Sequence, residues 1–254
     1  MTSKLAQQVY DRGYCVLEGF FSTEIRDEII QTLYQVWIDA GQPSMGGQFG
    51  YVLHPVLEFA SDLAPFYAQS EIVDLLAEIL QDEVRLAHNG AILCDETRSF
   101  CDWHCHLNGD RFNRWYPKPE TQHSVDRLLC NVYLHGSSSA TGELLVYPRK
   151  ITDSWDTPFD DLLTEWQGQK IVTCPPGSVV IFDTALFHAA RRPIELGHRY
   201  IWGGHYQGKN NLTRHREDNW FQSSVIEQYR KDNPLFASLT NTHAPAKVSA
   251  DSGY

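Results

Sequence analysis

The chain has 254 residues, a net charge of −11 and an apolar content of 42 %. A balance this acidic lacks the basic face that nucleic acid or an anionic membrane surface requires. No apolar run approaches the ~20 residues of a membrane helix, and roughly 200–250 residues is common for a single β-sandwich or barrel.

Residues 1–40 read as a helix, a short strand and a helix. "GYCVLEGFF" is compact and apolar. "STEIRDEIIQTLYQVWIDAG" opens on Ser22, an N-cap residue type, and repeats apolar residues at Ile25, Ile29, Leu33 and Trp37 before Gly41. "QPSMGGQFG" is a glycine-rich loop with no phosphate-loop lysine after it. "SEIVDLLAEILQDE" is a second amphipathic helix, with Ser70 as its expected cap.

From Val84 the texture changes to short β-like runs: "VRLAHNGAILC", "RLLCNVYLHG", "GELLVYPRKI", "QKIVTCPPGSVVIFD" and "HRYIWGGHYQ". Turn residues separate them. Helices followed by many short strands predict an α+β chain with a mostly β core, a sandwich or barrel flanked by N-terminal helices. A final helix is expected around "NWFQSSVIEQYRKD". One domain over 1–240 is expected, with a disordered polar tail over 241–254. The opening "MTSKLAQQVYDRGY" lacks the apolar core of a signal peptide, so a cytoplasmic location is expected. Cys15, Cys94, Cys101, Cys105, Cys130 and Cys174 form no C-x-x-C pair, and free thiols are expected.

"FCDWHCHLNGD", residues 100–110, carries His104 and His106 one residue apart. On a strand that spacing points both imidazoles to one face, while Cys105 points to the other. A metal site needs three or four convergent groups. The best third partner is His188, at the end of "GSVVIFDTALFH", and Arg199 follows it by eleven residues. Two adjacent antiparallel strands joined by "RRPIELG" would bring His188 and Arg199 together. A metal ligand beside a buried arginine suits a dicarboxylate: one end chelates metal, and the guanidinium takes the other.

This order resembles the phytanoyl-CoA dioxygenase family of Fe(II)- and 2-oxoglutarate-dependent oxygenases. The resemblance runs from "YDRGYCVLEGFFSTEIRDEI" through "WHCH", where the family has W-H-x-[acid], "TGELLVYPRKI" and "PGSVVIFD…FH" to the arginine, roughly residues 8 to 207. It implies a double-stranded β-helix (jelly-roll, cupin-like), with Fe(II), 2-oxoglutarate and O2 as cofactor and cosubstrates. It implies His104, the residue at 106 and His188 as iron ligands, and Arg199 as the partner of the distal carboxylate of 2-oxoglutarate. It sets Tyr133 beside that cosubstrate. Succinate and CO2 would form as a small molecule is hydroxylated, desaturated or cyclised.

The departures are His106, where the family has Asp or Glu, and Ala190, where it often has a hydroxyl. Asp102 or Asp110 as substitute carboxylates are less well placed than His106. His106 also fills the space a halide would need, so halogenation is not expected. Three-histidine iron sites occur in jelly-roll oxygenases that use no 2-oxoglutarate, and a non-catalytic metal- or ligand-binding jelly-roll is a third reading. Arg199 favours 2-oxoglutarate, because a buried guanidinium without an anion is costly. Arg111, Arg114, Arg191 and Arg192 either ring a mouth that takes an acidic small molecule or are solvated loop charges. Trp103 and Trp115 line the pocket or sit in the core.

Overall fold

The computed structural model describes residues 2–107, 125–211 and 223–240. The tail over 241–254, Asp110, Arg111, Arg114 and Trp115 lie outside the described residues.

Local chemistry starts most elements where the sequence suggests. Ser3 caps helix α1 (Lys4–Arg12), and Gly13 closes it in the left-handed conformation at φ 87°. Strand β1 (Tyr14–Leu17) follows. Ser22 caps helix α2 (Thr23–Asp39) by accepting from the Ile25 amide. The glycine-rich loop then leads into a three-residue strand, β2 (Tyr51–Leu53), and two short 3-10 turns. Helix α3 (Ser70–Leu80) corrects one expectation: Ser70 is the first helical residue, and Gln69 at the cap makes no side-chain bond. Its stability comes from burying Ile72, Leu75, Leu76 and Ile79.

Eight further strands form the core: β3 (Val84–Cys94), β4 (Cys101–His104), β5 (Arg127–Tyr133), β6 (Leu144–Tyr147), β7 (Lys170–Val172), β8 (Ser178–Asp183), β9 (Phe187–Ala190) and β10 (Arg199–Gly208). Helix α4 (Ser224–Asp232) is the expected final helix, and a further short one, α5 (Pro234–Thr240), follows it. The strands make two antiparallel sheets, ordered β1-β8-β5-β10-β3-β2 and β4-β9-β6-β7.

Strand alternation sorts the residues into layers. From β5, β8 and β10, Leu128, Cys130, Val132, Ile181, Tyr200 and Trp202 face the helices and join Ile29, Leu33 and Leu76. The alternate residues Leu129, Tyr133, Val180 and Phe182 face the smaller sheet and meet Leu144, Val146 and Leu186. Beyond that sheet, Trp103 stacks on Trp166 with centroids 4.3 Å apart, so Trp103 is core and not pocket wall.

The middle of β10 has to be thin. Gly203 pairs with Gly90 of β3 and Asn131 of β5, and a Cβ on it would lie 2.0 Å from the Cys130 carbonyl oxygen. Tyr67 also donates to the Gly203 carbonyl at 2.9 Å, which fixes the strand from the other face. Gly203→Ala is therefore expected to destabilise the fold by about 3 kcal/mol, the upper end for overpacking. A denaturant midpoint unchanged from that of the parent protein would contradict this.

Candidate metal centre

His104 and His188 face each other directly across the β4–β9 pair. A register irregularity between Cys101 and His104 breaks strict alternation there, so both residues reach the space between the sheets. Strand β4 ends at His104, and His106 lies just past it, held by its amide donating to the Thr184 carbonyl at 2.8 Å. One ring nitrogen from each of His104, His106 and His188 lies within 4.8 Å of the other two.

The second nitrogen of each ring is engaged. His104 Nδ1 is 2.8 Å from the Asp102 carbonyl, and His188 Nδ1 is 3.0 Å from the Leu186 carbonyl. His106 Nδ1 is 3.2 Å from His205 Nε2. Such contacts fix ring orientation and turn Nε2 toward the shared centre. Burial, then the neighbouring His104 and His106, hold His188 well below the ordinary histidine range. His188 is thus neutral, the form that binds metal.

Arg199, the first residue of β10, is 2 % exposed. Its Nε and Nη2 are buried and have no hydrogen-bond partner among the described residues. The guanidinium lies 5.7 Å from the Tyr133 ring centroid. Arg98 stands near it, and burial followed by the Arg199 charge pushes Arg98 below its usual range. Arg98 is tied to the carbonyls of Ser99, Ala190 and Arg191. Arg199 instead opens into a cavity of about 410 Å³ that it shares with the three histidines and Tyr133. No acidic side chain is among the described residues lining that cavity.

The expected pairing of His188 and Arg199 is realised by a different route. β9 and β10 are not neighbours in one sheet; "RRPIELG" crosses from the smaller sheet to the larger. The two residues meet across the cavity, because an inward-facing residue of one sheet opposes an inward-facing residue of the other.

Asp102 does not line the cavity; its Oδ1 lies 3.8 Å from His104 Nδ1, on the side away from the shared centre. Asp102 forms a second cluster with Cys101 and His104, again with ligand atoms within 4.8 Å. Burial pushes the Cys101 thiol up to about 12, against the opposing pull of Arg98, so it is not a ready thiolate. Cys105 packs with Trp103 on the far side of the sheet, as its parity requires.

Arg191 and Arg192 are not among the described residues lining the cavity. Arg191 is bound to Glu165 at 2.6 Å and Glu143 at 3.3 Å, and Arg192 leans on the Glu96 carbonyl. Several cavity residues escape the sequence reading: Phe49, His54, His88, Asn131 and His205. Parity would have found two of them. Asn131 is two before Tyr133, and His205 is six after Arg199, along a strand whose Ile201 and Gly203 also line the cavity.

No family model matches the chain, and no curated protein matches it in sequence. Solved structures do. HygX from Streptomyces hygroscopicus, with nickel and 2-oxoglutarate bound, matches with a TM-score of 0.63 at 15 % identity, over 82 % of this chain and 88 % of HygX. The fold is shared. The carbocyclase SnoK from nogalamycin biosynthesis, described as non-heme and alpha ketoglutarate dependent, matches with a TM-score of 0.65 at 14 % identity, over 82 % and 84 %. EctD from S. alaskensis, with 2-oxoglutarate and 5-hydroxyectoine, matches with a TM-score of 0.64 at 18 % identity, over 83 % and 77 %.

Proposed function

We propose that this chain is a non-haem Fe(II)- and 2-oxoglutarate-dependent oxygenase of a small molecule, of the phytanoyl-CoA dioxygenase type. The order of its strands supports a double-stranded β-helix over a single domain, residues 1–240. Its six free, buried cysteines agree with a cytoplasmic location. His104, His106 and His188 hold the metal through Nε2. Arg199 takes the distal carboxylate of 2-oxoglutarate, and Tyr133 walls that end of the cavity.

The observation that carries this reading is the buried Arg199, two of whose nitrogens have no partner among the described residues, in one cavity with three convergent imidazoles. An uncompensated buried charge is expensive, and a carboxylate supplies two acceptors matched to the guanidinium fork. Neutral imidazoles suit a borderline divalent metal. With three neutral ligands, a divalent ion and a dianionic cosubstrate together carry no net charge. The metal in HygX and the 2-oxoglutarate in HygX and EctD agree with this donor set and this anion partner.

Bound Fe(II) and 2-oxoglutarate would supply the oxidant: O2 is consumed, 2-oxoglutarate is decarboxylated to succinate and CO2, and a substrate C–H bond is oxidised. The chain's own part is placement and dryness. The two sheets fix the imidazoles, Arg199 sets the direction of the cosubstrate, and Phe49, Val52 and Leu129 keep the cavity wall apolar.

Anaerobic addition of 2-oxoglutarate to the Fe(II)-loaded protein is expected to produce a weak visible charge-transfer band. On admission of O2, succinate should form in proportion to the O2 consumed. Absence of the band together with absence of succinate would overturn the reading. Turnover undiminished without 2-oxoglutarate would replace it with a cosubstrate-independent oxygenase.

A further inference from the structure

His104 and His188 are oriented in the same local way: each ring bonds the carbonyl of the residue two before it. His106 is different. It stands just beyond the end of β4, its backbone held by the Thr184 carbonyl, and its Nδ1 meets a side chain from the other sheet, His205 Nε2 at 3.2 Å.

Resting on the function proposed above, we propose that His205 is the positioning residue that makes His106 a metal ligand: its Nε2 accepts the Nδ1 proton of His106 and so directs the Nε2 lone pair of His106 at the metal. A carboxylate at 106 would need no such acceptor, because it carries no proton to place. A histidine there does, because the wrong tautomer presents N–H to the metal.

The acceptor is itself held firmly. His205 is 1 % exposed, and its ring lies 4.8 Å from that of His88, its register partner on β3. His88 lies 3.7 Å from His54, whose Nδ1 is 3.1 Å from the Asn89 carbonyl. β10 therefore carries the anion partner Arg199 at one end of its inward face and the brace for His106 six residues on.

The test uses Co(II) as the probe, read by its d–d absorption. His205→Leu keeps bulk but removes the acceptor; a loss of about 10–100-fold in Co(II) affinity is expected, the range for an outer-sphere partner of a ligand. His205→Gln offers Oε1 as acceptor and is expected to recover most of that loss. Equal Co(II) affinity and spectrum in wild type and His205→Leu would overturn the inference while leaving the metal site standing. Failure of the wild type to bind Co(II) at all would overturn the site reading, and this inference with it. A measurement without substitution covers a variant that does not fold. In the Zn(II)-loaded wild type, nitrogen NMR of the imidazoles should show His106 protonated at Nδ1, with His205 Nε2 unprotonated. A His106 ring protonated at Nε2 would contradict the proposal.

Discussion

Replacing Arg199 by alanine is expected to weaken 2-oxoglutarate binding by about 100-fold or more, while metal binding is kept. Two charge-assisted hydrogen bonds at roughly 1.5–3 kcal/mol each set that scale. The buried guanidinium has two nitrogens with no partner among the described residues, so an anion binding there gains the whole interaction. Lysine should recover only part of the loss, because an ammonium cannot match both carboxylate oxygens. The comparison is an anaerobic titration of 2-oxoglutarate into Fe(II)-loaded wild type, Arg199→Ala and Arg199→Lys, read by the charge-transfer band. Equal affinities in wild type and Arg199→Ala would show that the cosubstrate's distal end sits elsewhere.

His188→Ala is expected to have the largest effect on the metal itself. It removes one of the three proposed ligands from a buried site in which none of the lining residues described is an acid that could substitute. The loss in affinity should exceed the roughly 10–100-fold of an outer-sphere change. Thermal denaturation with and without Ni(II) reports it directly. At 100 times the dissociation constant, a metal bound only by the folded state adds about 2.7 kcal/mol. The wild type should gain that stabilisation, and the variant should gain less than about 0.4 kcal/mol at the same Ni(II) concentration. The metal-free variant should melt lower as well, because the His188 ring packs 4.8 Å from Phe182. A full Ni(II)-dependent shift in His188→Ala would remove His188 from the ligand set.

The strands were legible because short β-like runs bounded by turn residues are a local signal, and "VRLAHNGAILC" matches β3 residue for residue. The distribution of strands between the sheets was not. Nothing local distinguishes a β9–β10 hairpin from a crossing between sheets, since the same seven-residue loop serves both. His104, His188 and Arg199 can be singled out by residue type and order, yet the spacing sets His106 on a strand that stops two residues short of it. Its brace, His205, was hidden in plain alternation with Arg199 and only stood out once the sheets faced each other. β2, three residues long, and α5, opened by Pro234, are too short for a periodic signal and exist through their contacts.

The central claim is that three imidazoles and one guanidinium make a single metal and 2-oxoglutarate site. A crystal structure of the protein grown without O2, with Fe(II) and 2-oxoglutarate, tests it most directly. The expected result is one ion bound by Nε2 of His104, His106 and His188 at about 2.0–2.2 Å, ordinary for imidazole on a divalent metal. The far carboxylate should lie on Nε and Nη2 of Arg199. An ion held instead by Cys101, Asp102 and His104, or a 2-oxoglutarate that leaves Arg199 without a partner, would contradict it.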